Sequence, residues 1–182
     1  MSANTKTPVL IVTGPPGVGK TTVAGMLAAR SDRAVHLESD AFFHFIRSGY
    51  IEPWKAESGA QNRTVMGIVA QVAAAYAEAG FFTIVDGIII PGWFFEPVRD
   101  ALRQAGHPVA YAVLRAPLPV CLSRANSRAT EPLEDPEVIE HLWRSFADLG
   151  ALEPHAIDVA TNGPEDATGL LAARLADGSL TA

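Results

Sequence analysis

The run Gly14-Pro15-Pro16-Gly17-Val18-Gly19-Lys20-Thr21 constrains this chain more than any other segment. Gly-x-x-x-x-Gly-Lys-Thr is a phosphate-binding pattern in which each position has a mechanical task. Gly14, Gly17 and Gly19 permit backbone conformations that turn successive N–H groups toward one anion, and Pro15, Pro16 and Val18 complete the loop. A helix opening near Lys20 adds the positive end of its dipole. Lys20 suits the β- and γ-phosphates, the Thr21 hydroxyl suits Mg²⁺, and Thr22 suits the α-phosphate. A chance glycine-rich turn is the plain alternative. Here, however, the loop follows the apolar run Val9–Thr13 and opens a helical pattern, which is the context the motif requires.

Around that loop, short apolar runs alternate with longer helical patterns, the signature of an α/β fold with a parallel sheet. Strands are predicted at Val9–Thr13, Ala34–Leu37, Phe81–Asp86, Val109–Leu114 and Ala156–Val159. They alternate little in polarity, as expected when helices cover both faces of the sheet. Helices are predicted at Lys20–Arg30, Asp40–Arg47, Ala60–Glu78, Trp93–Ala105, Pro119–Ser127, Pro136–Leu149 and Pro164–Ala176. With 182 residues and no linker, repeat or low-complexity tract, residues 1–182 are expected to form a single domain.

Composition narrows the partners. A formal charge of -6 leaves no basic stripe for a nucleic-acid backbone, although a few fixed donors and a metal still suffice for ATP. The N-terminus shows no basic region followed by an apolar run, and no stretch approaches the roughly 20 apolar residues of a membrane span. Cys121 is the single cysteine, which fits a reducing compartment. The expectation is a cytoplasmic protein, monomeric or homodimeric, without nucleic-acid or membrane partners.

A phosphate loop serves switches, transporters, motors and kinases alike. The guanine-reading Asn-Lys-x-Asp and a transporter-type Ser-Gly-Gly are absent, and the chain is short for a motor ATPase. Three features favour a kinase. Glu38-Ser39-Asp40 follows the second strand, and functional groups gather at the carboxyl ends of strands in doubly wound sheets. Asp40 there can take a proton from a substrate hydroxyl, or it can simply cap the next helix. Glu38, two residues earlier, points to the same side and can act toward Mg²⁺.

Asp86 ends the apolar run Phe81-Phe82-Thr83-Ile84-Val85 in a Walker-B-like way, suited to holding water on Mg²⁺. An Asp-Gly turn is its ordinary alternative. Arg115, Arg124 and Arg128 follow the fourth strand, and Arg124 and Arg128 share a helix face at four-residue spacing. Guanidinium groups on a lid would stabilise the charge spread over a transferring phosphoryl group, whereas solvated surface arginines are the plain reading.

Taken in order, the Gly14–Thr22 loop, Ser39-Asp40, Asp86 and the Arg124/Arg128 segment resemble the chloramphenicol phosphotransferase-like small P-loop kinases, relatives of shikimate, gluconate and adenylylsulfate kinases. The resemblance implies a three-layer P-loop fold, with a five-stranded parallel sheet flanked by helices and a short lid. It implies ATP and Mg²⁺ held at Lys20 and Thr21, and Asp40 as the base that activates an acceptor hydroxyl. It also implies that Arg124 and Arg128 approach the nucleotide and that Asn162-Gly163 borders the adenine. Val85 departs from the family, which tends to place a second acidic residue before the carboxylate matching Asp86.

The acceptor is expected to lie among residues 40–63 and 91–95. Asp40, His44 and Arg47 recur at helical spacing. Phe43, Trp54, Arg63 and the Trp93-Phe94-Phe95 cluster supply aromatic walls and donors, although ordinary core packing accounts for any one aromatic equally well. The remaining histidines, His36, His107, His141 and His155, show no metal-ligand spacing. The sequence thus points to γ-phosphoryl transfer from ATP to the hydroxyl of a small metabolite or antibiotic. The alternatives are a nucleoside, nucleotide or sugar-nucleotide kinase, or a nucleotide-dependent protein that sequesters a ligand with little turnover.

Overall fold

The computed structural model describes residues 6–126 and 135–182. Five strands form one sheet: β1 (Val9–Thr13), β2 (Ala34–Glu38), β3 (Phe82–Asp86), β4 (Val109–Arg115) and β5 (Ala156–Asp158). Their spatial order is β2-β3-β1-β4-β5 and every pairing between them is parallel. The central strand β1 is Val-Leu-Ile-Val-Thr and buried at all five positions, as its unalternating composition requires.

Side chains of each strand divide between two apolar layers. Val9, Ile11, Val85, Tyr111 and Val113 face one layer, and Leu10, Val12, Ile84, Ala112 and Leu114 face the other. The first layer is completed by α2 (Ser39–His44), α3 (Gly59–Glu78), α4 (Phe95–Gln104) and α6 (Pro136–Arg144) through Phe43, Val69, Val98 and Leu142. The second is completed by α1 (Lys20–Ala29), α5 (Leu118–Asn126) and α7 (Pro164–Ala176) through Leu27, Cys121 and Leu171. The result is the expected three-layer α/β fold.

Strand positions follow the sequence to within a residue, while several helix ends do not. The second helix runs Ser39–His44 instead of Asp40–Arg47, and it closes in a tighter turn in which Ile46 N donates to the Phe43 carbonyl oxygen at 3.1 Å. The sixth stops at Arg144 instead of Leu149, and a 3₁₀ turn with Pro154 inside it follows at Gly150–His155. A further 3₁₀ turn at Ala56–Ser58 leads into the third helix. Near the C-terminus, Thr181 makes an antiparallel bridge with Ala110, in line with the short β5.

Candidate active site

The loop between β1 and α1 is shaped by close backbone approach. A Cβ on Gly14 would lie 2.3 Å from the Leu114 carbonyl oxygen, and one on Gly17 would lie 2.1 Å from that of Cys121. Both contacts are with backbone, so nothing can yield cheaply, and φ is positive at both residues. Gly19 ends the loop with φ 103° at the N-cap of α1, and it offers no side-chain cap. The first amide groups of the helix are therefore directed at the loop's mouth, an arrangement built for an anion. Lys20 is 4% exposed and donates to the Pro15 carbonyl oxygen at 3.0 Å. This fold-back across the loop holds the ammonium group at the anion position.

Parallel pairing brings the acidic residues together. Glu38 of β2 is the register partner of Asp86 of β3, both at carboxyl ends of their strands. Asp86 is 3% exposed, and its Oδ2 lies 2.6 Å from His36 Nε2. The hydrogen bond to Asp86 raises the His36 pKa above its ordinary value; burial opposes this, and the charges of Asp86 and Glu38 add to it. Past Asp86 the backbone does not turn into a hairpin. Ile89 N donates to Thr13 Oγ1 at 2.9 Å, and Gly87 lies so close to Ser39 that a Cβ would meet its hydroxyl at 1.9 Å. Ser39 is buried there, which anchors the start of α2 beside the end of β3.

Asp40 thus sits in the first turn of α2, two residues further in than the N-cap Glu38. A cleft of about 880 Å³ joins these elements. Pro16, Gly17, Gly19, Lys20, Thr21 and Thr22 line its phosphate end. Glu38, Asp40 and Asp86 line it with Arg124, and Phe43, His44 and Trp93 also line it. Among the described residues, no group of three or more His, Cys, Asp or Glu side chains could hold a metal unaided. A hydroxyl at Thr21 with one or two carboxylates nevertheless fits Mg²⁺, which keeps waters and takes phosphate oxygens when it arrives with a nucleotide.

Other expected residues fall elsewhere. Gly14, Pro15 and Val18 are buried within the loop and act on its shape. Arg63 is exposed on α3 and does not line the cleft. Asn162 and Gly163, between β5 and α7, do not line it either; Asn162 Nδ2 donates to the Asp158 carbonyl oxygen at 3.2 Å. Arg115 is engaged by Glu153, with Nη2 2.9 Å from Oε2, away from the cleft. Arg128 lies outside the described residues. Sequence reasoning set aside His36, and it gave no role to Tyr50, Met66 or Leu142, which line the cleft. For His36 a signal existed in its position, two residues before Glu38 and hence on the same strand face.

A parallel sheet ordered β2-β3-β1-β4-β5, a glycine loop opening α1, and carboxylates at neighbouring strand ends define a P-loop kinase fold. The chain belongs to the AAA domain family (AAA_33), whose model matches residues 9–149. No curated protein matches it. Solved structures with the same fold include the tunicamycin resistance protein of Deinococcus radiodurans, at 23% identity and TM-score 0.67, covering 93% of this chain and 95% of that one. A gluconokinase from Sinorhizobium meliloti 1021 aligns at 17% identity and TM-score 0.68, over 96% and 94% of the two chains. Shikimate kinase from Acinetobacter baumannii, in complex with shikimate, aligns at 24% identity and TM-score 0.63, over 95% and 96%. The likeness to these structures shows that the chain shares their P-loop kinase fold over nearly its whole length. No helix among the described residues is long and apolar enough to cross a membrane.

Proposed function

We propose that this protein transfers the γ-phosphoryl group of ATP to a hydroxyl of a small organic acceptor. The observation that carries the reading is one continuous cleft with the phosphate loop at one end, aromatic walls at the other, and Asp40 lining it with Glu38 and Asp86. A site for ATP hydrolysis alone has no need of that aromatic compartment. Solved structures with this fold include a gluconokinase, a shikimate kinase and a tunicamycin resistance protein, which agrees with a small hydroxylated acceptor, metabolite or antibiotic.

In this reading the loop amides and Lys20 hold the β- and γ-phosphates. Thr21, with Asp86 and Glu38 nearby, would hold Mg²⁺, which when bound would supply charge neutralisation at the phosphates. The acceptor oxygen attacks phosphorus as the bond from phosphorus to the β,γ-bridging oxygen breaks. ADP leaves, and Asp40 receives the hydroxyl proton. Arg124, on the same cleft, balances charge spreading onto the equatorial oxygens. Phe43, His44 and Trp93 orient the acceptor.

The test is to follow ADP and phosphorylated product across a panel of polyols, sugar acids, aminoglycosides and nucleosides, with native protein and Asp40→Asn. A product phosphorylated by the native chain, and made far more slowly by a variant that still binds ATP, bears the reading out. ATP turnover that yields only free phosphate with every acceptor contradicts it.

A further inference from the structure

We propose that His36 is a positioning residue of the phosphate site, whose Nε2–H holds the buried Asp86 carboxylate in place for the Mg²⁺ of a bound nucleotide. That Mg²⁺ arrives beside Asp86 rests on the kinase reading, whereas the grip of His36 on the carboxylate does not.

Strand register brings the two together. His36 of β2 pairs with Ile84 of β3, and Glu38 pairs with Asp86, so His36 lies diagonally across the ladder from Asp86. Residues two apart in a strand share a face, which puts His36, Glu38, Ile84 and Asp86 on one side of the sheet. Ile84 packs there with Val23, Ala24 and Leu27 of α1, the helix whose first turn carries Thr21. The imidazole lies against the same helix: a Cβ on Gly25 would be 3.7 Å from His36 Nδ1. The other ring nitrogen, Nε2, meets Asp86 Oδ2 at 2.6 Å.

A carboxylate only accepts, so Nε2 carries the proton in this contact, in the neutral and the charged ring alike. The Asp86 side chain is 5% exposed and that of His36 16%. Water therefore supplies little of what the carboxylate needs, and a buried carboxylate without a donor is costly. His36 commits one oxygen of Asp86 and fixes the group before any metal arrives. Glu38 stands on the same rung but is exposed, so of the two carboxylates Asp86 is the one held still. A partner that orients a metal ligand spares the cost of ordering it on binding, and its loss takes about ten- to a hundredfold from metal affinity.

A purely structural role, in which His36 only satisfies a buried acid, makes different predictions. Calorimetric titration of ADP into the whole protein, with Mg²⁺ and in EDTA, gives the metal's share of the affinity as a ratio of two Kd values. In His36→Leu that ratio should fall about tenfold or more, with the Kd in EDTA unchanged. His36→Gln, which restores an N–H donor, should recover most of it. In an Asp86→Asn background, His36→Leu should alter the ratio by less than about twofold, because a residue acting through Asp86 has nothing left to act on. The native protein supplies a readout that needs no variant to fold. In ¹⁵N-edited NMR the His36 Nε2 signal should shift on addition of Mg²⁺ with ADP and stay in place with ADP in EDTA. An unmoved Nε2 signal overturns the proposal, as does an undiminished effect of His36→Leu in the Asp86→Asn background. A His36→Leu protein that melts lower yet keeps the native ratio overturns it too, since the role is then structural. Failure of every acceptor to be phosphorylated defeats the kinase reading instead, and leaves the Mg²⁺ ratio standing.

Discussion

The two ends of the cleft are built from different materials. At the phosphate end, residues 13–18 are buried throughout, and the shape comes from backbone contacts that admit no side chain at Gly14 or Gly17. At the acceptor end, residues 44–50 are mostly exposed, and Phe45 is 73% exposed. Side chains from α2, the 50–54 segment, α3 and the 88–94 segment meet there. The first end is a fixed cradle set by the backbone, and the second is a wall assembled residue by residue. Under the proposed function, chemistry belongs to the cradle and choice of substrate to the wall.

Variants can break or sharpen this contrast. Lys20→Ala should lower kcat/KM on the order of a thousandfold or more and abolish tight nucleotide binding by calorimetry. Asp40→Asn should leave ATP affinity near native and cost on the order of a hundred- to a thousandfold in kcat. A loss of thermal stability in its place would mean that Asp40 serves α2 and not the reaction. His36 grips the Asp86 carboxylate at 2.6 Å, so His36→Leu should weaken Mg²⁺-dependent ADP binding roughly ten- to a hundredfold. Binding in EDTA should not change, and His36→Gln, which restores a donor, should recover much of the loss. The smallest effect belongs to Arg63→Ala. That side chain is exposed outside the cleft, and its removal should change stability by no more than about 0.5 kcal/mol and acceptor KM within about twofold.

The same contrast governs what could be read from the sequence. Gly14–Thr21 was legible because a local spacing fully specifies a local shape, and β1 and the loop lie where the motif puts them. The strands were legible because burial on both faces leaves unbroken apolar runs. Asp86 and Asp40 were legible as residues at strand ends, but the Glu38–Asp86 pairing and the His36 contact depend on register between β2 and β3, which no local pattern encodes. Arg63 shows the limit on helices. It sits beside Asn62 in sequence, yet one residue turns the side chain by about 100°, so Asn62 faces inward and Arg63 faces solvent. Asn162 and Gly163 were assigned through resemblance alone, and the structure places them beyond the cleft lining.

The most direct measurement follows the label of [γ-³²P]ATP into the low-mass fraction of a metabolite extract, with native protein, Lys20→Ala and Asp40→Asn in parallel. Label is expected in a discrete organic phosphate with the native protein, little with Asp40→Asn although it binds ATP, and none with Lys20→Ala. Label confined to ATP and free phosphate with the native protein, or undiminished transfer by Asp40→Asn, would contradict it.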